Sequence, residues 1–129
     1  MAKANRRKFK FQEPTMTIET FLNKLRSNSA ELMFEDAMAC IEANYDFSET
    51  AFQNGNTKNE AGQNNGSCKV FAFGKLNDLN PSETLSCFGQ YYRIDVLENP
   101  DGEDHQNIRN FMEHGWDGIH FEGEALQTK

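Results

Sequence analysis

Residues 64–73 read NNGSCKVFAF, and the reading of that stretch decides the middle of the fold. Two asparagines and a glycine form turns readily, whereas Val70, Phe71 and Phe73 begin an apolar run that reaches Leu76. A helix is therefore expected to start at Ser67, with the serine as its cap and Cys68 in its first turn. Unpaired amides and the helix dipole at that place favour a thiolate. Cys68 is thus a candidate nucleophile as well as a candidate small packing residue.

Upstream, residues 45–66 are rich in Asn and Gly and carry no helical period. Tyr45 and Phe47 alternate, and TAFQNG (residues 50–55) reads as a short strand ending in an Asn-Gly turn. Such a long irregular segment in a small domain is more often organised or functional than idle.

Before it lie two predicted helices. Thr17 caps the first, whose face is Ile18, Phe21, Leu22 and Leu25. The second is expected from about Ala30 to Asn44 with Ser29 as cap, striped by Phe34, Ala37, Met38, Ile41 and Tyr45, with Cys40 beside the stripe. Downstream of the middle helix, Asn80 and Pro81 open a fourth, striped by Leu85, Phe88, Tyr92 and Val96. Asn99, Pro100 and Gly102 break the chain, and a last helix over EDHQNIRNFMEH ends at Gly115. Ile119 and Phe121 then share one face of a strand expected to pair with TAFQNG. The fold class read from this order is α+β: a mostly helical single domain of about five helices with a small antiparallel sheet.

Charge divides the chain. Residues 1–14 hold Lys3, Arg6, Arg7, Lys8 and Lys10 against Glu13, so the overall −7 becomes about −11 over the remainder. The basic start, where KFKFQ alternates like a short edge strand, is expected to be a solvated, poorly ordered tail, and residues 15–129 the domain. An acidic body repels phosphate backbones, so nucleic acid is not an expected partner. No run nears the roughly 20 apolar residues of a membrane span, and no apolar segment of a Sec-type signal follows the basic start. Three widely spaced cysteines, Cys40, Cys68 and Cys87, argue against a disulfide scaffold and for a reducing compartment.

Five stretches carry a family resemblance: YDFSETAFQNG, NEAGQNNGSCKVFAF, CFGQYYR, PDGEDHQNIRNFMEHGW and FEGEAL. Together, over roughly residues 17–127, they resemble the HopJ type III effector family. The resemblance implies a bacterial protein, resident in the cytoplasm and a candidate for type III secretion. It supplies no catalytic residue.

Chemistry must then come from the residues themselves. GSCKVF is similar to a fragment of the papain-like nucleophile stretch, although Lys69 stands where an aromatic residue would follow the cysteine. A thiol-dependent hydrolase would use Cys68 with His105 as base, and His114 and His120 are the other histidines. Asp101, Glu103, Asp104 and His105 crowd together, but neither HExxH nor EF-hand spacing is present, and no metal or cofactor is expected. Asp104 is read as the cap of the last helix, and Arg93 or Arg109 as a partner for the acidic segment. Trp116 is read as a core anchor. Asn54, Asn59, Gln63 and Asn64, with Asp104 and Arg109, could converge as a polar pocket for a small molecule or a protein segment, or could simply bond one another to organise the loop. The leading expectation is a non-enzymatic binding domain, and the thiol hydrolase is the alternative.

Overall fold

Thr17 Oγ1 accepts the Thr20 amide at 3.0 Å and so opens helix α1, Ile18–Ser27. The structure, a computed structural model, describes residues 17–129; the expected KFKFQ strand and the basic tail lie outside them. Phe21 and Leu25 of α1 are buried, with Ile18 and Leu22 packed at their margin.

The second helix is shorter than its apolar stripe predicts. Ser29–Glu31 form one 3-10 turn, Leu32 and Met33 are extended, and α2 occupies Phe34–Asn44. Arg93 accounts for the break. Its Nη1 donates to the carbonyls of Ser29 (3.2 Å) and Leu32 (2.5 Å), groups that a continuous helix would use internally. The Asp36 carboxylate then accepts the Met33 amide at 2.9 Å and starts α2. Ala37, Cys40 and Ile41 are its buried residues.

Helix α3, Asn65–Leu76, begins two residues before the expected cap. Asn64 makes the entry, in the left-handed region at φ 53°, which asparagine tolerates better than most residues. Helix α4, Pro81–Ser86, has the predicted cap: Asn80 Oδ1 accepts the Glu83 amide at 2.7 Å and Glu83 Oε1 accepts the Asn80 amide at 3.0 Å. The fourth helix does not run on to Val96. Gly89, at φ +58°, bends the chain where a Cβ would overlap the Met33–Phe34 backbone, and a π-helical turn over Tyr91–Val96 follows. Helix α5, Gln106–His114, stops at Gly115 as expected.

The described residues also form five strands: β1 Tyr45–Phe47, β2 Phe52–Asn54, β3 Thr57–Asn59, β4 Ile119–Phe121 and β5 Leu126–Thr128. The expected pairing of TAFQNG with the last apolar strand is present, antiparallel, with Phe52 opposite Phe121 and Asn54 opposite Ile119. The other edge of β2 pairs with β3 through a two-residue loop whose first position is Gly55 at φ +59°. Thr57–Asn59 carries no apolar alternation, so its sequence reads as loop although the chain forms a strand there. A separate antiparallel pair joins β1 to β5, with Phe47 opposite Leu126. The class is α+β and mostly helical, with its few antiparallel strands divided between two small sheets.

Phe71 of α3 is fully buried at the centre, its ring 6.0 Å from Phe52, 5.5 Å from Phe88 and 5.0 Å from Phe111. Phe111 in turn meets Trp116 edge-on at 5.1 Å, and the indole Nε1 donates to the Leu79 carbonyl at 2.9 Å. Each such ring pair adds roughly 0.5–1.5 kcal/mol beyond its buried area. This cluster ties the amino-terminal part of α3 to α5, and so sets the site described next.

Candidate functional site

The beginnings of α3 and α5 line one cavity of about 360 Å³. Asn64, Gly66 and Ser67 form one wall, His105, Gln106, Asn107 and Ile108 another, and Phe34, Phe88 and Tyr91 an aromatic side closed by Thr57. The two helix entries are alike. Asn64 at φ 53° and His105 at φ 52° are the N-cap residues, and neither makes a side-chain capping bond. The first main-chain bond of α3 is Cys68 N–H to the Asn64 carbonyl at 3.0 Å, so the amides of Asn65, Gly66 and Ser67 precede the ladder. In α5 the Ile108 and Arg109 amides reach the His105 carbonyl at 3.0 and 3.1 Å, leaving those of Gln106 and Asn107 ahead of it. Two positive dipole ends therefore meet in a cavity with no carboxylate among its described lining residues.

Behind the cavity lies a knot of asparagines. Asn59 and Asn107 bond reciprocally, Asn107 Nδ2 to Asn59 Oδ1 at 3.0 Å and Asn59 Nδ2 to Asn107 Oδ1 at 3.2 Å. Asn54 Nδ2 donates to Asn107 Oδ1 at 2.8 Å and to the Asn107 carbonyl at 2.9 Å, and Asn64 Nδ2 to Asn59 Oδ1 at 2.8 Å. Asn54 and Asn59 are buried to within a percent of completely, and the Asn54 Oδ1 atom has no partner. These amides bind one another and hold β2 and β3 against α5.

The remaining expected binding residues sit apart from the cavity lining. Gln63 closes its own turn, its Oε1 accepting the Glu60 amide at 2.9 Å. Arg109 Nη2 pairs with Asp104 Oδ1 at 2.6 Å, while its Nε and Nη1 reach the carbonyls of Asp104 (2.6 Å) and Asn99 (3.0 Å). It thereby folds the 99–104 turn onto α5, and holds the Asp104 carboxyl below its usual range through that hydrogen bond and its charge. Asp104 precedes the N-cap and makes no cap itself. Arg93, read as a possible partner of the acidic segment, binds the carbonyls that interrupt α2.

Cys68 is fully buried at the end of the first turn of α3, beyond the unpaired amides. Its Sγ donates to the Thr50 carbonyl at 3.6 Å, and burial pushes its pKa up to about 11. Neighbouring Ser67, not Cys68, lines the cavity that holds His105. Both features favour the neutral thiol over a thiolate. The cavity residues Ser67, Tyr91 and Gln106 were missed because no motif marks them; the readable signal was Asn64-Asn65-Gly66, a run suited to a left-handed entry.

A sequence profile described as HopJ type III effector protein matches residues 18–126. The chain belongs to the HopJ family. Within this HopJ fold, no helix among the described residues is long and apolar enough to cross a membrane. A crystal structure of a protein of unknown function, VPA0580, superposes with a TM-score of 0.88 at 56% identity, covering 91% of this HopJ chain and 98% of that one. No curated protein matches the chain.

Proposed function

We propose that this HopJ protein is a non-enzymatic effector-type domain that binds a small molecule in the cavity between α3 and α5. The ligand class is a flat ring bearing an acidic oxygen group, such as a carboxylate or a phosphate. One observation carries this: two uncapped helix amino ends face one space, with Tyr91, Phe34 and Phe88 beside them and no acid among the described lining residues. The amides would take the oxygens and the rings the flat body. Family membership supports delivery by type III secretion, with the bacterial cytoplasm as the place of synthesis.

Titration with phenyl phosphate and benzoate, followed by amide correlation spectra, tests the reading. The expected result is a set of saturable shifts centred on Gly66, Ser67, Gln106 and Asn107, abolished by Ser67→Glu, which puts a carboxylate in the cavity. Shifts spread over the surface, or equally strong in Ser67→Glu, would overturn it.

A further inference from the structure

At the outer end of the His105 ring three ligating atoms meet. His105 Nε2 lies 3.0 Å from Asp95 Oδ2 and 3.9 Å from Asp104 Oδ2, and the three residues together present ligand atoms all within 4.8 Å of one another. Asp95 comes from the π-helical turn and the other two from the start of α5, so only the folded chain assembles the group.

A hydrogen bond explains half of this. The proton on Nε2 serves Asp95 at 3.0 Å, while Asp104 Oδ2, at 3.9 Å, lies beyond hydrogen-bond reach of the ring. A divalent cation serves both. Tetrahedral ligation at about 2.0–2.2 Å separates neighbouring ligand atoms by about 3.4 Å, a value between the two distances found here. The neighbouring groups also suit the role. Arg109 Nη2 occupies Asp104 Oδ1 at 2.6 Å, leaving Oδ2 turned toward the imidazole, and the His105 ring stacks on Tyr91 with centroids 5.2 Å apart. Such fixing of a ligand by a second group is what metal sites use to orient their donors. All three side chains are partly solvent-exposed, so an ion has a path in and water can complete its shell.

We propose that His105, Asp95 and Asp104 form a site for one divalent transition ion, with zinc the best match to one imidazole and two carboxylates. The site shares His105 with the lining of the cavity, but its ligation needs no molecule bound there. It departs from the expectation of no metal, which rested on sequence spacing and could not include Asp95.

Cobalt(II) added to the untagged, chelator-treated protein tests it directly, through visible absorption bands and competition by zinc. Expected are one cobalt per chain, displacement by an equivalent of zinc but not by magnesium, and at least a roughly tenfold weaker affinity in Asp95→Asn. His105→Asn, chosen because asparagine tolerates the left-handed backbone, should abolish the bands, whereas His120→Gln should leave them unchanged. Unchanged cobalt affinity in Asp95→Asn, or bands lost only with His120→Gln, would overturn the assignment. So would the absence of any bands in the folded wild-type protein. Among the described residues the half-exposed Asp95 carboxylate hydrogen-bonds only His105, so its variant remains informative even if His105→Asn fails to fold.

Discussion

Asn107 and Asn59, both buried, hold each other by a reciprocal pair of amide bonds, 3.0 Å in one direction and 3.2 Å in the other. A strand of the three-stranded sheet and the start of α5 are thereby locked in register. Removing the Asn107 side chain takes two bonds from the buried Asn59 amide, leaving it Asn64 and a long 3.5 Å bond to the Phe52 carbonyl, and takes one bond from Asn54. Leaving a buried polar group unpaired costs about 1–3 kcal/mol. Asn107→Ala should therefore lose about 2–3 kcal/mol in urea unfolding. A loss well under 1 kcal/mol would mean that water enters and replaces the amide.

The thiols give a chemical prediction. Burial raises the pKa of Cys40 and Cys68 to about 11 and that of Cys87 to about 12, against 9.0 for a free thiol. Iodoacetamide near neutral pH should leave the native protein unmodified and label all three cysteines once denaturant is added. Rapid labelling of Cys68 alone in the native state would revive the hydrolase alternative.

The same shifts have a sign in stability. A thiol whose folded-state pKa is raised contributes stability that is fully present below the unfolded value of 9.0 and is lost as pH climbs through about 11 to 12. Thermal midpoints should hold steady up to about pH 9 and fall beyond it. Cys68→Ala should show a shallower fall than the wild type.

Asp104 runs the opposite way. Its hydrogen bond to Arg109 and that residue's charge depress its pKa, so its contribution is present above the unfolded carboxylate value and is lost as pH falls through the folded one. Carboxyl carbon shifts followed by NMR should show Asp104 titrating lower than an ordinary aspartate. In Arg109→Gln its titration should return toward the ordinary range, and no change there would refute the assigned cause.

Gly89 should be intolerant of any side chain. Its φ of +58° strains an L-residue by roughly 1–2 kcal/mol, and a Cβ would also overlap the backbone of Met33 and Phe34. Gly89→Ala is expected to lose more than that strain alone, about 2 kcal/mol or more, with the loss read from chemical unfolding. A near-neutral result would show that the α2 entry shifts to make room.

Local pattern alone specified much of this protein. The stripe Ile18, Phe21, Leu22 and Leu25, the Asn80 cap and the stop at Gly115 follow from periodicity and short-range backbone chemistry, and the alternation of the last apolar strand points to its pairing with TAFQNG. The five quoted stretches, spread along the chain, carried the family. Where elements ended was less legible. Arg93 interrupts the expected second helix some sixty residues away by taking the Ser29 and Leu32 carbonyls, and Gly89 bends the chain because of a neighbour that no nearby residue announces.

The candidate site was legible only as an inventory. Asn54, Asn59 and Asn64 could be marked as polar and turn-forming, but whether such amides face a ligand or each other depends on which donors lie opposite. Asn107 lies opposite Asn54 and Asn59 and bonds with both. The joining of two helix entries in one cavity, and of Asp95 with His105, likewise belongs to the tertiary structure. Hydrogen bonds and dipoles act over a few ångströms in space, and the distance along the chain between these partners does not encode them.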